Sequence, residues 1–140
     1  MQRYLSKSPE ETVEIGARIG EKVRKGSTIL LSGALGSGKT VLVRGIARAL
    51  DIEERVTSPS FTLISVYRGK HELYHVDLYR IDSVNEVEDL GLEDILNSDG
   101  IVVIEWGEKI KSILPDDCIE VNILIKSGKE REIMLKGLSI

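Results

Sequence analysis

The chain has 140 residues, 41% hydrophobic and 30% charged, with 19 Lys and Arg against 23 Asp and Glu, a formal charge of −4. That length fits one domain of the usual ~100–150 residues with about two-thirds of its unfolded surface buried, and the balance excludes wholesale disorder. The longest apolar run, Ile101–Ile104, is far short of the ~20 residues of a membrane span, and the single Cys118 excludes an internal disulfide or an all-cysteine zinc site. Met1–Lys7 holds no apolar stretch of the signal-peptide kind, so a cytoplasmic location is expected. No basic run exceeds Lys22-Val23-Arg24-Lys25, which argues against a strong direct footprint on nucleic acid.

Without repeats or low-complexity tracts, residues 1–140 read as one continuous domain. Ser8-Pro9-Glu10-Glu11 predicts a helix start, with Ser8 as N-cap, Pro9 in the first turn and Glu11 closing a capping box. Ile15, Gly16, Ile19, Gly20 and Val23 follow at helical spacing, and Gly26 suits the exit. Ser27–Ser32 is apolar enough for a strand buried on both faces. A glycine-rich turn and a helix from about Thr40 to Leu50 come next, then a loop over Asp51–Ser60. Phe61–Tyr67 and Glu72–Leu78, joined by Arg68-Gly69-Lys70-His71, predict a hairpin. Ser83-Val84-Asn85-Glu86 opens a helical stretch toward Leu96 that Gly91 interrupts, and Asn97–Gly100 is turn chemistry. Ile101–Trp106 is a second buried strand, and Cys118–Lys126 with Glu130–Leu135 forms a half-buried hairpin. Together these elements predict an α/β domain with a mixed sheet, flanking helices and antiparallel hairpins.

Gly33-Ala34-Leu35-Gly36-Ser37-Gly38-Lys39-Thr40 matches G-x-x-x-x-G-K-S/T at every fixed position, between a strand and a helix. The glycines permit backbone conformations and close approach that side chains would block. The turn's amides and the N-terminus of the next helix then face phosphate oxygens. Lys39 brings positive charge to the outer phosphates, and the Thr40 hydroxyl is suited to Mg2+. Glu105 ends an apolar strand, where a P-loop protein keeps an acid for Mg2+.

Strand alternation puts His75, Asp77 and Tyr79 on one face, either as a group serving a metal, a water or a phosphate, or as the solvated face of an edge hairpin. Thr57-Ser58-Pro59-Ser60-Phe61-Thr62 reads as a phosphate-sensing switch or as an ordinary polar loop. Trp106 stacks on a substrate or partner, or packs in the core. His71 and Cys118 read as structural, and Asp116, Asp117, Glu86, Glu88 and Asp89 as solvated charge.

Leu31-Ser32-Gly33-x-Leu35-Gly36-x-Gly38-Lys39-Thr40, Ser58-Pro59-Ser60-Phe61-Thr62, His75-x-Asp77-x-Tyr79-Arg80 and Ile104-Glu105-Trp106 occur in that order. In this the chain resembles, over essentially its whole length, the TsaE (YjeE) family of small bacterial ATPases. Ser60 stands where the family more often has Thr, which keeps the hydroxyl. The resemblance implies a part in making N6-threonylcarbamoyladenosine at position 37 of tRNAs that read ANN codons. A TsaD–TsaB pair performs that transfer, and the TsaE-like subunit binds the pair and hydrolyses ATP to reset it. Carried onto this chain, Gly36, Ser37, Gly38, Lys39 and Thr40 would cradle the phosphates, Gly33 and Leu35 would also bind the nucleotide, and Thr12 and Arg131 would lie near the adenine. Thr40, Glu105 and Asp77 would serve Mg2+, and Lys39, Asp77, Glu105 and Trp106 the hydrolysis, with Asp77 supporting the metal or the attacking water and Trp106 acting in hydrolysis or docking. The loop 57–62 would be the switch.

The main rival is a small-molecule or nucleoside kinase, which needs an acceptor pocket and usually a basic lid; little chain is left for either. A GTPase is weakened by the absence of an N-K-x-D segment, and a nucleotide-gated scaffold without hydrolysis would carry the same motifs.

Overall fold

The computed structural model describes residues 1–59 and 63–140. β1 (Gln2–Ser6) leads into α1 (Pro9–Lys22), β2 (Thr28–Gly33) and α2 (Lys39–Ala49). The hairpin β3 (Ile64–Arg68) and β4 (Glu72–Asp77) follows, then the short helices α3 (Val84–Asp89) and α4 (Leu92–Leu96) and the strand β5 (Ile101–Glu105). A 3-10 segment, Gly107–Ile113, connects to the hairpin β6 (Ile119–Ser127) and β7 (Glu130–Lys136). The described strands form one sheet in the order β1-β7-β6-β2-β5-β4-β3. The inner pairs β6–β2, β2–β5 and β5–β4 are parallel, and the flanking pairs β1–β7, β7–β6 and β4–β3 are antiparallel. The expected mixed α/β sheet forms.

Alternation sorts the strand residues into two cores. Ile29 and Leu31 of β2, Leu73 of β4, Val103 of β5, and Ile133 and Leu135 of β7 pack with Ile15 and Ile19 of α1 and Leu42 and Ile46 of α2. On the opposite face, Val76, Val102 and Ile104 pack with Val87, Leu92, Leu96 and Ile110. β5 is buried at every residue, as a parallel strand covered on both faces must be. The inner parallel strands β2, β5 and β4 end side by side at Gly33, Glu105 and Asp77, so their C-terminal ends make one edge for a ligand site.

Ser8 caps α1 as expected, its hydroxyl accepting from Glu11 N at 3.2 Å. Glu11 reaches one residue further back than a capping box requires and accepts from Lys7 N at 2.7 Å. α1 stops at Lys22, before Gly26, because Val23 turns extended. Gly91 divides the 83–96 stretch as expected, taking a left-handed conformation that starts α4. β1 has no counterpart in the expectations. It is a five-residue edge strand of mixed polarity whose formation depends on pairing with β7, 125 or more positions away in sequence. The 3-10 segment likewise has no clear periodicity to announce it. In the C-terminal hairpin, Ile119, Val121, Ile123, Ile133 and Leu135 are buried as expected, while Ile125 is exposed beside a register shift that breaks the alternation.

α1 and α2 approach at backbone contact. A Cβ on Gly16 would lie 2.2 Å from Leu42 O, one on Gly45 2.1 Å from Val13 O, and one on Gly20 2.7 Å from the Ala49 Cβ. Alanine would raise helix propensity at Gly45 by about 1 kcal/mol, but forcing two backbones apart costs about 1–3 kcal/mol and strains the packing beneath. Gly45→Ala is therefore expected to lower the unfolding free energy in a urea titration despite its better propensity. A midpoint at or above that of the parent chain would contradict this packing.

Candidate functional site

The loop between β2 and α2 needs its glycines for two different reasons. A Cβ on Gly33 would lie 2.5 Å from Ser37 Oγ and 2.9 Å from Ile123 O, so this position is closed by contact. Gly36 and Gly38 have φ of 78° and 107°, left-handed conformations that side chains rarely adopt. α2 starts at Lys39 with no side-chain cap and no acid in its first turn, which leaves an electropositive helix end at the loop. From β7, Arg131 braces the loop: Nε donates to Ser37 O at 3.0 Å and Nη2 to Gly36 O at 3.4 Å, while Nη1 donates to Gly128 O and Glu130 O.

Register brings the acids to that loop. Glu105 pairs with Leu31 of β2 on one side and with Asp77 of β4 on the other. Both carboxylates are nearly buried, and Leu78 N donates to Glu105 O, extending the β4–β5 pairing past the strand end. Lys39 Nζ lies 3.1 Å from Glu105 Oε1, and His75 Nε2 lies 2.8 Å from Glu105 Oε2. Burial pushes the Glu105 carboxyl up, but the hydrogen bond and field of His75 and the Lys39 ammonium outweigh it and hold the group below the usual carboxylate range. Asp77 Oδ1 accepts from Tyr79 N at 3.0 Å in a local turn.

Lys39, Thr40, Asp77, Glu105 and Trp106 all line one cavity of about 860 Å3, together with Gly33, Leu35, Gly36 and Gly38 of the loop. Among the described residues no cluster of three His, Cys, Asp or Glu is arranged as a self-sufficient metal site. A hydroxyl and two carboxylates beside a phosphate cradle are nevertheless the donor set Mg2+ uses, because it is usually held by one or two carboxylates, waters and substrate phosphate. Thr40, Asp77 and Glu105 fit that ion.

Thr12 and Arg131 meet at a second, smaller cavity of about 140 Å3 on the other side of the loop, lined also by Ser8, Gly36, Ser37, Gly38 and Val41. Thr12 is buried, its hydroxyl 2.7 Å from Ser6 Oγ. Arg131 is committed to backbone carbonyls, a bracing role that sequence patterning does not announce.

His75 is fully buried and faces the α1–α2 core side, so the hairpin face it shares with Asp77 is not solvated. Tyr79 falls beyond the end of β4, in a turn, and is 62% exposed. Trp106 is part-exposed rather than core, and its φ of 63° holds the indole at the cavity mouth in a conformation rare for bulky residues. Its ring centroid is 5.2 Å from that of Tyr79, and Lys109 Nζ sits within 5.8 Å of both rings while donating to Tyr79 O and Ile81 O. Lys109 carries no motif signal in the sequence. Of the loop 57–62, Ser58 lines the large cavity, and 60–62 lie outside the described residues.

Known proteins resemble this chain over most of its length. The family described as "Threonylcarbamoyl adenosine biosynthesis protein TsaE" matches residues 6–133. A TsaE of Treponema pallidum is 40% identical over 131 residues, covering 94% of this chain and 97% of its own length. A TsaE of Bacillus subtilis is 36% identical, covering 94% of this chain and 82% of its own. The crystal structure of Bacillus subtilis YdiB superposes with a TM-score of 0.81 at 32% identity, over 94% of this chain and 82% of that one. With motifs, fold and near-full-length relatives in agreement, the chain belongs to the TsaE family of tRNA threonylcarbamoyladenosine biosynthesis.

Proposed function

We propose that this chain is a Mg2+-dependent ATP-binding and ATP-hydrolysing subunit that supports formation of N6-threonylcarbamoyladenosine at position 37 of tRNAs reading ANN codons, acting on a TsaD–TsaB pair. The observation that carries the ATP reading is the convergence of Lys39, Thr40, Asp77 and Glu105 on one cavity beside the glycine loop. Loop amides and the start of α2 receive the phosphates, and Lys39 exchanges Glu105 for the outer phosphate oxygens. Thr40, Glu105 and Asp77 hold Mg2+, which when bound offsets the charge of the phosphoryl group in transfer. Asp77 also orients the attacking water. The adenine lies toward the smaller cavity, against Thr12, with Arg131 keeping Gly36 and Ser37 in shape.

The same reading makes the isolated chain a weak ATPase. Fast phosphoryl transfer uses a water-positioning group and often an arginine supplied in cis or in trans. Among the described residues, Arg80 is the one arginine that lines the cavity. A partner that covers the mouth beside Trp106 would supply the missing charge and exclude water. The charge of −4 fits a chain that reaches tRNA only through such a complex.

Two measurements test this. By calorimetry and phosphate release, Lys39→Ala is expected to abolish ATP binding, whereas Glu105→Ala keeps ATP binding in EDTA and loses hydrolysis by about a hundredfold or more. Tight ATP binding by Lys39→Ala, or full hydrolysis by Glu105→Ala, contradicts the assigned roles. Adding TsaD–TsaB to the purified chain is expected to raise its slow ATP turnover; fast turnover alone with no gain on addition contradicts dependence on the partner.

A further inference from the structure

His75 stands apart from the motif residues with an assigned task. Its side chain is fully buried on β4, between Leu73 and Asp77 along the strand and paired in register with the apolar Val103 of β5. Its apolar neighbours Leu73 and Val103 would pack equally well against an aliphatic side chain. Instead the ring places Nε2 2.8 Å from Glu105 Oε2 and leaves Nδ1 buried with no hydrogen-bond partner among the described residues. A buried polar atom without a partner costs about 1–3 kcal/mol, so packing alone does not explain a histidine here. What the ring does have is the carboxylate.

Glu105 divides its two oxygens between partners of opposite mobility. Oε1 faces Lys39, a long side chain on the first turn of α2, and Oε2 faces His75, a short side chain on an inner strand. When phosphate draws the ammonium away, Oε1 is left free in a nearly dry site, and only the bond to Oε2 still fixes the rotamer of the carboxylate. We propose that His75 is the positioning residue for Glu105: its Nε2–H holds Oε2 so that Oε1 is presented, already oriented, to the Mg2+ that accompanies ATP. The inference rests on reading the cavity as a MgATP site and assigns the pair its internal order, with Lys39 exchangeable and His75 permanent. Hydrogen-bond partners of metal ligands act in this way, and their loss typically weakens metal affinity by about 10–100-fold.

The test measures ATP affinity of the full-length chain by calorimetry, once in EDTA and once in saturating Mg2+, and takes the ratio as the metal enhancement. His75→Leu removes the donor, and His75→Gln keeps an N–H at comparable reach. We expect His75→Leu to bind ATP in EDTA within about threefold of the parent chain while its metal enhancement falls by about 10–100-fold, and His75→Gln to restore most of that enhancement. If His75→Leu does not fold, His75→Asn, whose amide stops short of Oε2, is read the same way. Unchanged enhancement without the donor overturns the proposal, as does an equal loss of affinity in both buffers or a Gln variant as impaired as the Leu one. A parent chain that binds no ATP in either buffer overturns the MgATP reading itself, and this proposal with it.

Discussion

Glu105 is a carboxylate at the end of a strand buried on both faces, and the site is arranged around its need for compensation. Taken out of water, such a group costs several kcal/mol unless charge and hydrogen bonds meet it. Lys39 and His75 meet one oxygen each. Pairs of this kind add little net stability compared with an apolar replacement, because desolvation consumes most of the attraction. The pair is therefore better read as a stored arrangement than as a structural clamp. On the proposed MgATP reading, a phosphate that took the lysine would leave Oε1 uncompensated, and a divalent cation would satisfy it. That reading couples nucleotide and metal through one side chain.

That arrangement depends on backbone contacts far from it. Lys39 is the first residue of α2, so the direction of α2 decides where the ammonium points. The direction is set by α1, against which α2 packs with glycines at the crossing. Gly33 closes the loop against β6 in the same manner, through Ser37 and the Ile123 carbonyl. Arg131 ties the loop to the C-terminal hairpin from the other side. The hairpin strands β6 and β7, and the edge strand β1 beyond them, thus serve the site although they contribute no acid to the large cavity.

Much of this was legible in the residues. The strand–loop–helix around Lys39 is written in period and in glycine spacing, and the inner strands announce themselves as short continuous apolar runs. The capping serine before Pro9 and the break at Gly91 follow from local chemistry. What escaped is what depends on distant pairing. β1 is five residues of mixed polarity that become a strand only against β7, and the 3-10 segment after Trp106 has no repeat to detect. Alternation grouped His75 with Asp77 correctly yet left open whether their face was wet, since burial of a hairpin is decided by the helices laid over it. Tyr79 left the group because the strand ends at Asp77. Arg131 and Lys109 act on backbone carbonyls, and such partners leave no trace in composition.

The remaining constraint is size. A sheet with two layers of helices uses most of the described residues, and among them exposed Leu35, Tyr79 and Trp106 line the large cavity. Such an exposed lining suits the proposed reading of a subunit whose ATP hydrolysis acts on another protein. The most direct test of that account is to deplete the chain in its host, supply either the parent chain or Lys39→Ala, and measure tRNA threonylcarbamoyladenosine by mass spectrometry of nucleosides. The modification is expected to fall on depletion and to return with the parent chain but not with Lys39→Ala. Unchanged threonylcarbamoyladenosine after depletion, or full restoration by Lys39→Ala, would contradict it.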